Sequence, residues 1–260
     1  VAKYSNAQQR WYYKIFAIWA GAGGSFLLWS TIQFAVFSFW SGVLKKSGQG
    51  YGAAAVFLAA VVCIFFSATL LFVLKPFAPA MEQSQGAGLS AELRNFWMMS
   101  HPALIFAGYS LYAIPFVQMI AAVLTGAIAD KGIFNSVRRP VIWAFVFLSA
   151  GLATGARWSY LAPGWGGYWA WDPVENATLV IWLVGLAAMH CLIVTRKTGG
   201  YEFFTAAIIG VPFLLCLFAT YLTRTGMVQS LHSFYAPVIA PAFAIGIGFF
   251  SGAWFFSTWR

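Results

Sequence analysis

52-GAAAVFLAAVVCIFFSATLLFVL-74 carries no charged side chain from end to end. A helix rises about 1.5 Å per residue, so about 20 predominantly apolar residues cross the hydrocarbon of a bilayer. The stretch therefore reads as a membrane span. Working outward, six further segments meet the same test: 16–44, 103–129, 141–157, 176–195, 203–223 and 237–257. The first is long and contains an interfacial turn at 21-GAGGS-25. The fourth is short and runs on toward an aromatic loop. The expected fold is an all-α, polytopic integral membrane helical bundle of about seven transmembrane helices, with a tryptophan-rich loop on its outer face. Residues 1–260 read as one transmembrane domain.

Composition agrees. The 260 residues are 61% hydrophobic and 8% charged, whereas soluble domains carry about 25% charged residues. Lipid must be the main solvent. The net charge of +9 is spread as singles and doublets between apolar blocks, the pattern of membrane loops. Nucleic acid is excluded as a partner on that ground. Cys63, Cys191 and Cys216 each lie inside an apolar block, form no CxxC pair and read as small core residues. No internal repeat, phosphate loop, dinucleotide fingerprint or HExxH is present. The chain opens on Val1 without a basic, apolar, small-residue leader, which reads as a trimmed terminus or one piece of a longer product.

Seven spans put alternate connections on opposite sides. Lys45, Lys46, Lys131, Arg138, Arg139, Arg196, Lys197 and Arg260 share one side; Lys3, Arg10, Lys14, Lys75, Arg94, Arg157 and Arg224 share the other. The first group contains three adjacent basic pairs in short loops and is assigned to the cytoplasm by the positive-inside rule. The aromatic loop, His101 and His232 then face outward. The outer loop 75–102 is the one sizeable extramembrane piece, and a short helix is expected near 89-LSAELRNFWMM-99.

Three histidines occur in the chain. His101 stands where the outer loop enters the third span, and His232 lies in the outer connection between the last two spans. His190 lies deep in the fifth span, where an ionisable residue is a site candidate by default. The loop 158–176 contains 164-GWGGYWAWDPVEN-176. Trp165, Tyr168, Trp169 and Trp171 suit either an interfacial aromatic belt or a platform for a flat ligand. Asp172, Pro173 and Glu175 fit a helix N-cap, a first-turn proline and a capping box, a role compatible with binding. A planar macrocycle with two axial sites and two carboxylates matches the set. Tryptophans give the platform, imidazoles the axial ligands, and Arg157, Arg224 and Arg94 the guanidinium partners for carboxylates.

165-WGGYWAWDPVEN-176 resembles the tryptophan-rich WWD signature of heme-handling membrane proteins. Its continuation through 182-WLVG-185, His190 and 222-LTRTGMVQSLHSF-234 is similar to the CcmF/NrfE branch, the heme lyase subunit of system I cytochrome c maturation. 1-VAKYSN-6, 11-WYYKIFAIWAGAGGSFLLW-29 and 101-HPALIFAGY-109 share the likeness. The resemblance implies that His101 and His232 ligate the iron of the heme being transferred, and that His190 ligates a resident heme b. It also implies as partners a CcmE-like heme chaperone, a CcmH-like subunit and apocytochrome c with its CxxCH motif. The setting implied is a bacterial or mitochondrial inner membrane, with the site facing the periplasm or intermembrane space. The second heme b histidine of the family has no counterpart among the three histidines here. Its source is a second chain carrying the rest of a CcmF, another ligand, or residues missing from a fragment. The chain has 22-AGGS-25 where the family usually shows HEGS, and 101-HPA-103 where it shows HPP. Two rival readings stay open: a CcmC/CcsA-like heme delivery subunit without ligation activity, and a non-catalytic subunit of a membrane assembly.

Overall fold

A computed structural model describes every residue except 1, 45–48, 78–85, 163, 165–166, 231, 233–234 and 260, and leaves the side chains of 2, 49, 131 and 259 undescribed. Eight α-helices account for most of the described residues: α1 (Trp11–Phe16), α2 (Ala22–Leu44), α3 (Gln49–Ala68), α4 (Trp97–Leu124), α5 (Lys131–Leu161), α6 (Pro173–Thr198), α7 (Glu202–Thr225) and α8 (Ala240–Trp259). No strand occurs among them. Helix α3 passes into a π-helical segment, Thr69–Leu74, closed by Lys75 in the left-handed region at φ 44°. Seven helices, α2 to α8, are long and apolar enough to cross a membrane, as expected. The protein is an integral membrane protein.

Helix α4 is the axis of the bundle. Every residue from Gly108 to Ala122 is buried, and α2, α3, α5, α7 and α8 all pack against it. In its most apolar window 78% of residues are buried, against 22% in α6. A helix that is apolar all round belongs inside, and a span with an exposed apolar flank faces lipid or another protein.

Three boundaries depart from the sequence reading. Helix α5 is 31 residues long and absorbs the connection expected over 130–140. Asp130 caps it by accepting from the Gly132 N–H at 2.7 Å. Ile133, Phe134, Val137, Val141, Ala144 and Leu148 are buried, a helical stripe that continues past the hydrocarbon while Arg138 and Arg139 stay exposed. Apolar length alone undercounts such a helix. The interfacial turn lies at 17–21 rather than 21–25. Gly24 falls inside α2, where any Cβ would strike the Ile18 carbonyl, so glycine lets the helix start against the preceding turn.

The expected helix near 89–99 is replaced by turns over 91–93 and an earlier start of α4 at Trp97. Indole N–H groups stabilise this irregular backbone. Trp158 donates to the Glu92 carbonyl at 2.9 Å and Trp19 to the Met98 carbonyl at 3.2 Å. Phe16, Ala17, Ala20, Leu89, Met98, Trp158 and Ala162 form a second, small core at this end of the bundle. That core fixes the N-terminal segment and residues 86–97 over the ends of α4 and α5, beside the cavity described next.

Candidate functional site

A cavity opens at the aromatic end among α2, α4, α5, α6 and α7. It encloses about 960 Å³ of atom-free space, part of it open to solvent. His101, Trp158, Tyr168, Trp169, Arg224 and His232 line it, with Trp19, Phe106, Tyr109 and Glu175. Two chain-distant histidines and part of the aromatic loop thus meet around one space.

His101 sits on the second turn of α4. Its Nδ1 lies 2.8 Å from the Gly151 carbonyl of α5, an arrangement that places the ring proton on Nδ1 and the lone pair on Nε2. Trp158 meets the imidazole edge-on, with ring centroids 5.6 Å apart. Gly155 makes the approach possible: a Cβ there would stand 2.7 Å from His101 Cε1 and Nδ1.

His232 reaches the cavity from the connection between α7 and α8. Its Nδ1 lies 3.2 Å from Asp172 Oδ2, and its backbone N–H donates to Ser230 Oγ at 2.9 Å. The Ser230 hydroxyl in turn donates to the same Asp172 oxygen at 2.7 Å. Asp172 is also the N-cap of α6, accepting from the Val174 N–H at 3.0 Å, and Glu175 closes the capping box. Burial pushes the Asp172 carboxyl up, but His232, Ser230 and the Val174 N–H outweigh it and hold the group down to about 2.

Arg224 is 2% exposed. It donates from Nη1 to the Ala22 carbonyl at 2.7 Å and from Nη2 to Ser25 Oγ at 3.1 Å, and its guanidinium lies 5.7 Å from the centroid of the Phe26 ring. Its Nε–H and the Trp169 Nε1–H find no acceptor among the described residues. Both belong to side chains that line the cavity. A buried donor without an acceptor is costly, so both suit a ligand that brings acceptor atoms.

The other sequence candidates fall elsewhere. Trp165 lies outside the described residues. Trp171 is 72% exposed, has φ 56°, and meets Trp169 edge-on rather than lining the cavity. Tyr168 lines the cavity rim and stacks on Tyr160 at 4.3 Å. Asp172 stands behind His232 rather than on the cavity wall. Arg157 is exposed, lies 5.6 Å from the centroid of the Tyr160 ring and does not line the cavity. Arg94 donates to the Leu89 carbonyl at 2.8 Å and braces the outer loop. Membership of the outer connections places an arginine at this end of the bundle but says nothing of the side of a helix it occupies.

His190 is exposed on the flank of α6, with Nδ1 2.9 Å from the Leu186 carbonyl of its own helix. It lies 17 residues beyond Pro173, roughly 25 Å along the helix axis. Trp19, Trp158 and Glu175 line the cavity but were not assigned to the site from sequence. The periodicity of 11-WYYKIFAIW-19 gave no sign that its last indole would cross to α4.

Fold and site together define an all-helical integral membrane protein with a histidine-lined cavity at its aromatic end. The chain belongs to the cytochrome c assembly protein family, whose model matches residues 19–232. The CcmF/NrfE likeness read from the motifs holds across the chain. The cytochrome c-type biogenesis protein NrfE of Haemophilus influenzae is 34% identical over 242 residues, covering 90% of this chain and 37% of the relative. CcmF of Pseudomonas aeruginosa is 35% identical and CcmF of Escherichia coli K12 is 33% identical, each over 90% of this chain and 36% of its own length. A solved structure of the cytochrome c heme lyase CcmF matches with a TM-score of 0.80 at 26% identity, over 97% of this chain and 38% of that one. The chain therefore spans little more than a third of these relatives.

Proposed function

We propose that this chain holds heme for covalent attachment to apocytochrome c, with the aromatic end facing the periplasm or intermembrane space. The observation that carries the reading is the convergence of His101 and His232 on one largely apolar cavity with a buried guanidinium. Heme is the substrate. Its faces suit Trp169, Tyr168 and the other aromatic rings that line the cavity, its iron suits the two imidazoles, and a propionate suits the unsatisfied Nε–H of Arg224. Trp171, exposed beside Trp169, is available to the incoming polypeptide.

The chemistry asked of the protein is placement. Each thioether forms by addition of a cysteine S–H across a heme vinyl C=C, with the proton ending on carbon and no leaving group. The histidine of the CxxCH motif replaces one cavity imidazole on the iron. That exchange fixes the vinyl groups beside the two thiols and turns a bimolecular addition into an oriented one. No cysteine of this chain is needed, in keeping with the burial of Cys216 and the absence of Cys63 and Cys191 from the cavity. A CcmE-like chaperone supplies the heme and a CcmH-like subunit presents the apocytochrome.

A resident heme b would supply electrons to the transferred heme, and a histidine of this chain would serve as one of its iron ligands. His190 fits as one ligand for a group lying on the outside of the described bundle, where its Nδ1 contact fixes the ring. The other two histidines line the cavity, so the described residues supply no second imidazole on that flank. A second ligand would come from another polypeptide segment or be a side chain other than histidine, and heme placement in the cavity does not depend on it.

The test is to supply the purified protein, with its partner subunits, with reduced heme and a CxxCH peptide. Thioether-linked heme on the peptide supports the lyase reading. Stable heme binding and release without a thioether would support the delivery-subunit reading, and no heme binding at all would support a non-catalytic role.

A further inference from the structure

We propose that Asp172 is a positioning residue for His232: one carboxylate oxygen caps α6 and also holds the imidazole with its proton on Nδ1, so that Nε2 serves as the ligating nitrogen. The proposal rests on the reading of His232 as a ligand of the transferred heme. It assigns the acidic residue of the aromatic motif a task distinct from touching the heme.

Four observations support it. Asp172 Oδ2 lies 3.2 Å from His232 Nδ1, and His232 lines the cavity. The same oxygen receives the Ser230 hydroxyl at 2.7 Å, and Ser230 Oγ receives the His232 backbone N–H at 2.9 Å. Backbone and ring of His232 are therefore tied to one carboxylate. That carboxylate is itself immobilised, because its Oδ2 also accepts from Val174 N–H at the start of a 26-residue helix, and Glu175 accepts from the Asp172 and Ala170 N–H groups. The Asp172 side chain is 8% exposed, so the contact is shielded from water. A carboxylate behind a ligating histidine fixes its tautomer and strengthens it as a ligand. Here a rigid helix start supplies that carboxylate to a histidine on a connecting loop. The Gly151 carbonyl does the same for His101 from α5, so both imidazoles are held through Nδ1.

The variant Asp172→Ser keeps an N-cap, since serine caps about as well as aspartate, but it removes the carboxylate from His232. Asp172→Asn keeps size and cap and removes only the charge. With ring-¹⁵N histidine, the three histidines give three nitrogen pairs, assigned through His101→Gln and His190→Gln. Spectra are taken without heme at a single pH where the rings are neutral. In the parent protein the Nδ1–H tautomer of His232 is expected to dominate by about tenfold or more, the discrimination given by a hydrogen bond to a charged acceptor. The ratio falls toward parity in Asp172→Ser and takes an intermediate value in Asp172→Asn, with helical content unchanged. Heme retention falls about 10- to 100-fold in Asp172→Ser, the usual cost of losing such a partner, and recovers in part in Asp172→Asn. A His232 tautomer ratio that stays within about twofold of the parent in either folded variant overturns the proposal. Because that measurement contains no heme, failure of the heme reading shows separately, as a parent protein that binds none.

Discussion

Two environments for histidine stand in contrast in this chain. His101 and His232 sit at the aromatic end, each tied through Nδ1 to a partner from another element and each lining one cavity. His190 sits deep along α6, tied only to its own helix and exposed on the bundle flank. An ionisable side chain at membrane depth rarely faces lipid. On the proposed reading, the contrast separates a site lined by two histidines of this chain from a single histidine presented on the bundle flank.

The largest effect expected from that contrast is on ligation. With reduced heme supplied, His101→Ala or His232→Ala is expected to lower thioether yield on a CxxCH peptide about hundredfold or more, because either loss frees the heme to turn. Under the same conditions His190→Ala should change the yield by no more than about twofold, as befits a distant, independent site. Equal losses in all three would erase the distinction.

Gly155→Val sharpens the comparison by moving one ring without removing it. Its Cβ would stand 2.7 Å from the His101 ring, and overpacking costs about 1–3 kcal/mol. Heme affinity measured by titration is expected to fall about tenfold. The His190 flank should be unaffected.

A smaller effect is expected at Arg224. Arg224→Met keeps much of the bulk but loses the hydrogen bonds to the Ala22 carbonyl and Ser25 and the charge offered to a propionate. Relief of a buried charge offsets part of that loss. Heme affinity should weaken by about 1–2 kcal/mol. Ordinary heme should lose more than its dimethyl ester does, which binding assays with both would show.

The smallest effect is on pH dependence. Asp172 is held below its ordinary value of 3.8, to about 2. A depressed carboxyl contributes stability that is fully present above 3.8 and is lost as pH falls through about 2. Thermal unfolding of the parent and of Asp172→Asn, compared between pH 5 and pH 2.5, should show the parent's advantage narrowing only at the acid end.

Much of this was legible in the sequence, and the limits have physical causes. Uninterrupted apolar length exposed all seven spans, and the Asp172–Glu175 capping box was readable because caps are local chemistry. The extension of α5 through Arg138 and Arg139 was not, since charges end an apolar count without ending a helix. His101 and His232 were legible as a pair through the motifs. Gly151 and Gly155, which support His101, were not, because backbone carbonyls and missing Cβ atoms carry no residue signature at a distance, and the Ser230 hydroxyl does not announce its partner 58 residues away. The exclusion of Arg157 from the cavity depended on how α5 is turned against its neighbours at its last turns, which membership of an outer loop does not reveal.

The most direct measurement of the central claim is the absorption and resonance Raman spectrum of heme bound to the purified protein with His190 replaced by alanine, which removes the flank site. The account predicts a low-spin, six-coordinate iron with two histidine ligands, converted to a five-coordinate or lost species by either His101→Ala or His232→Ala. An unchanged six-coordinate spectrum after either of those further substitutions would contradict it.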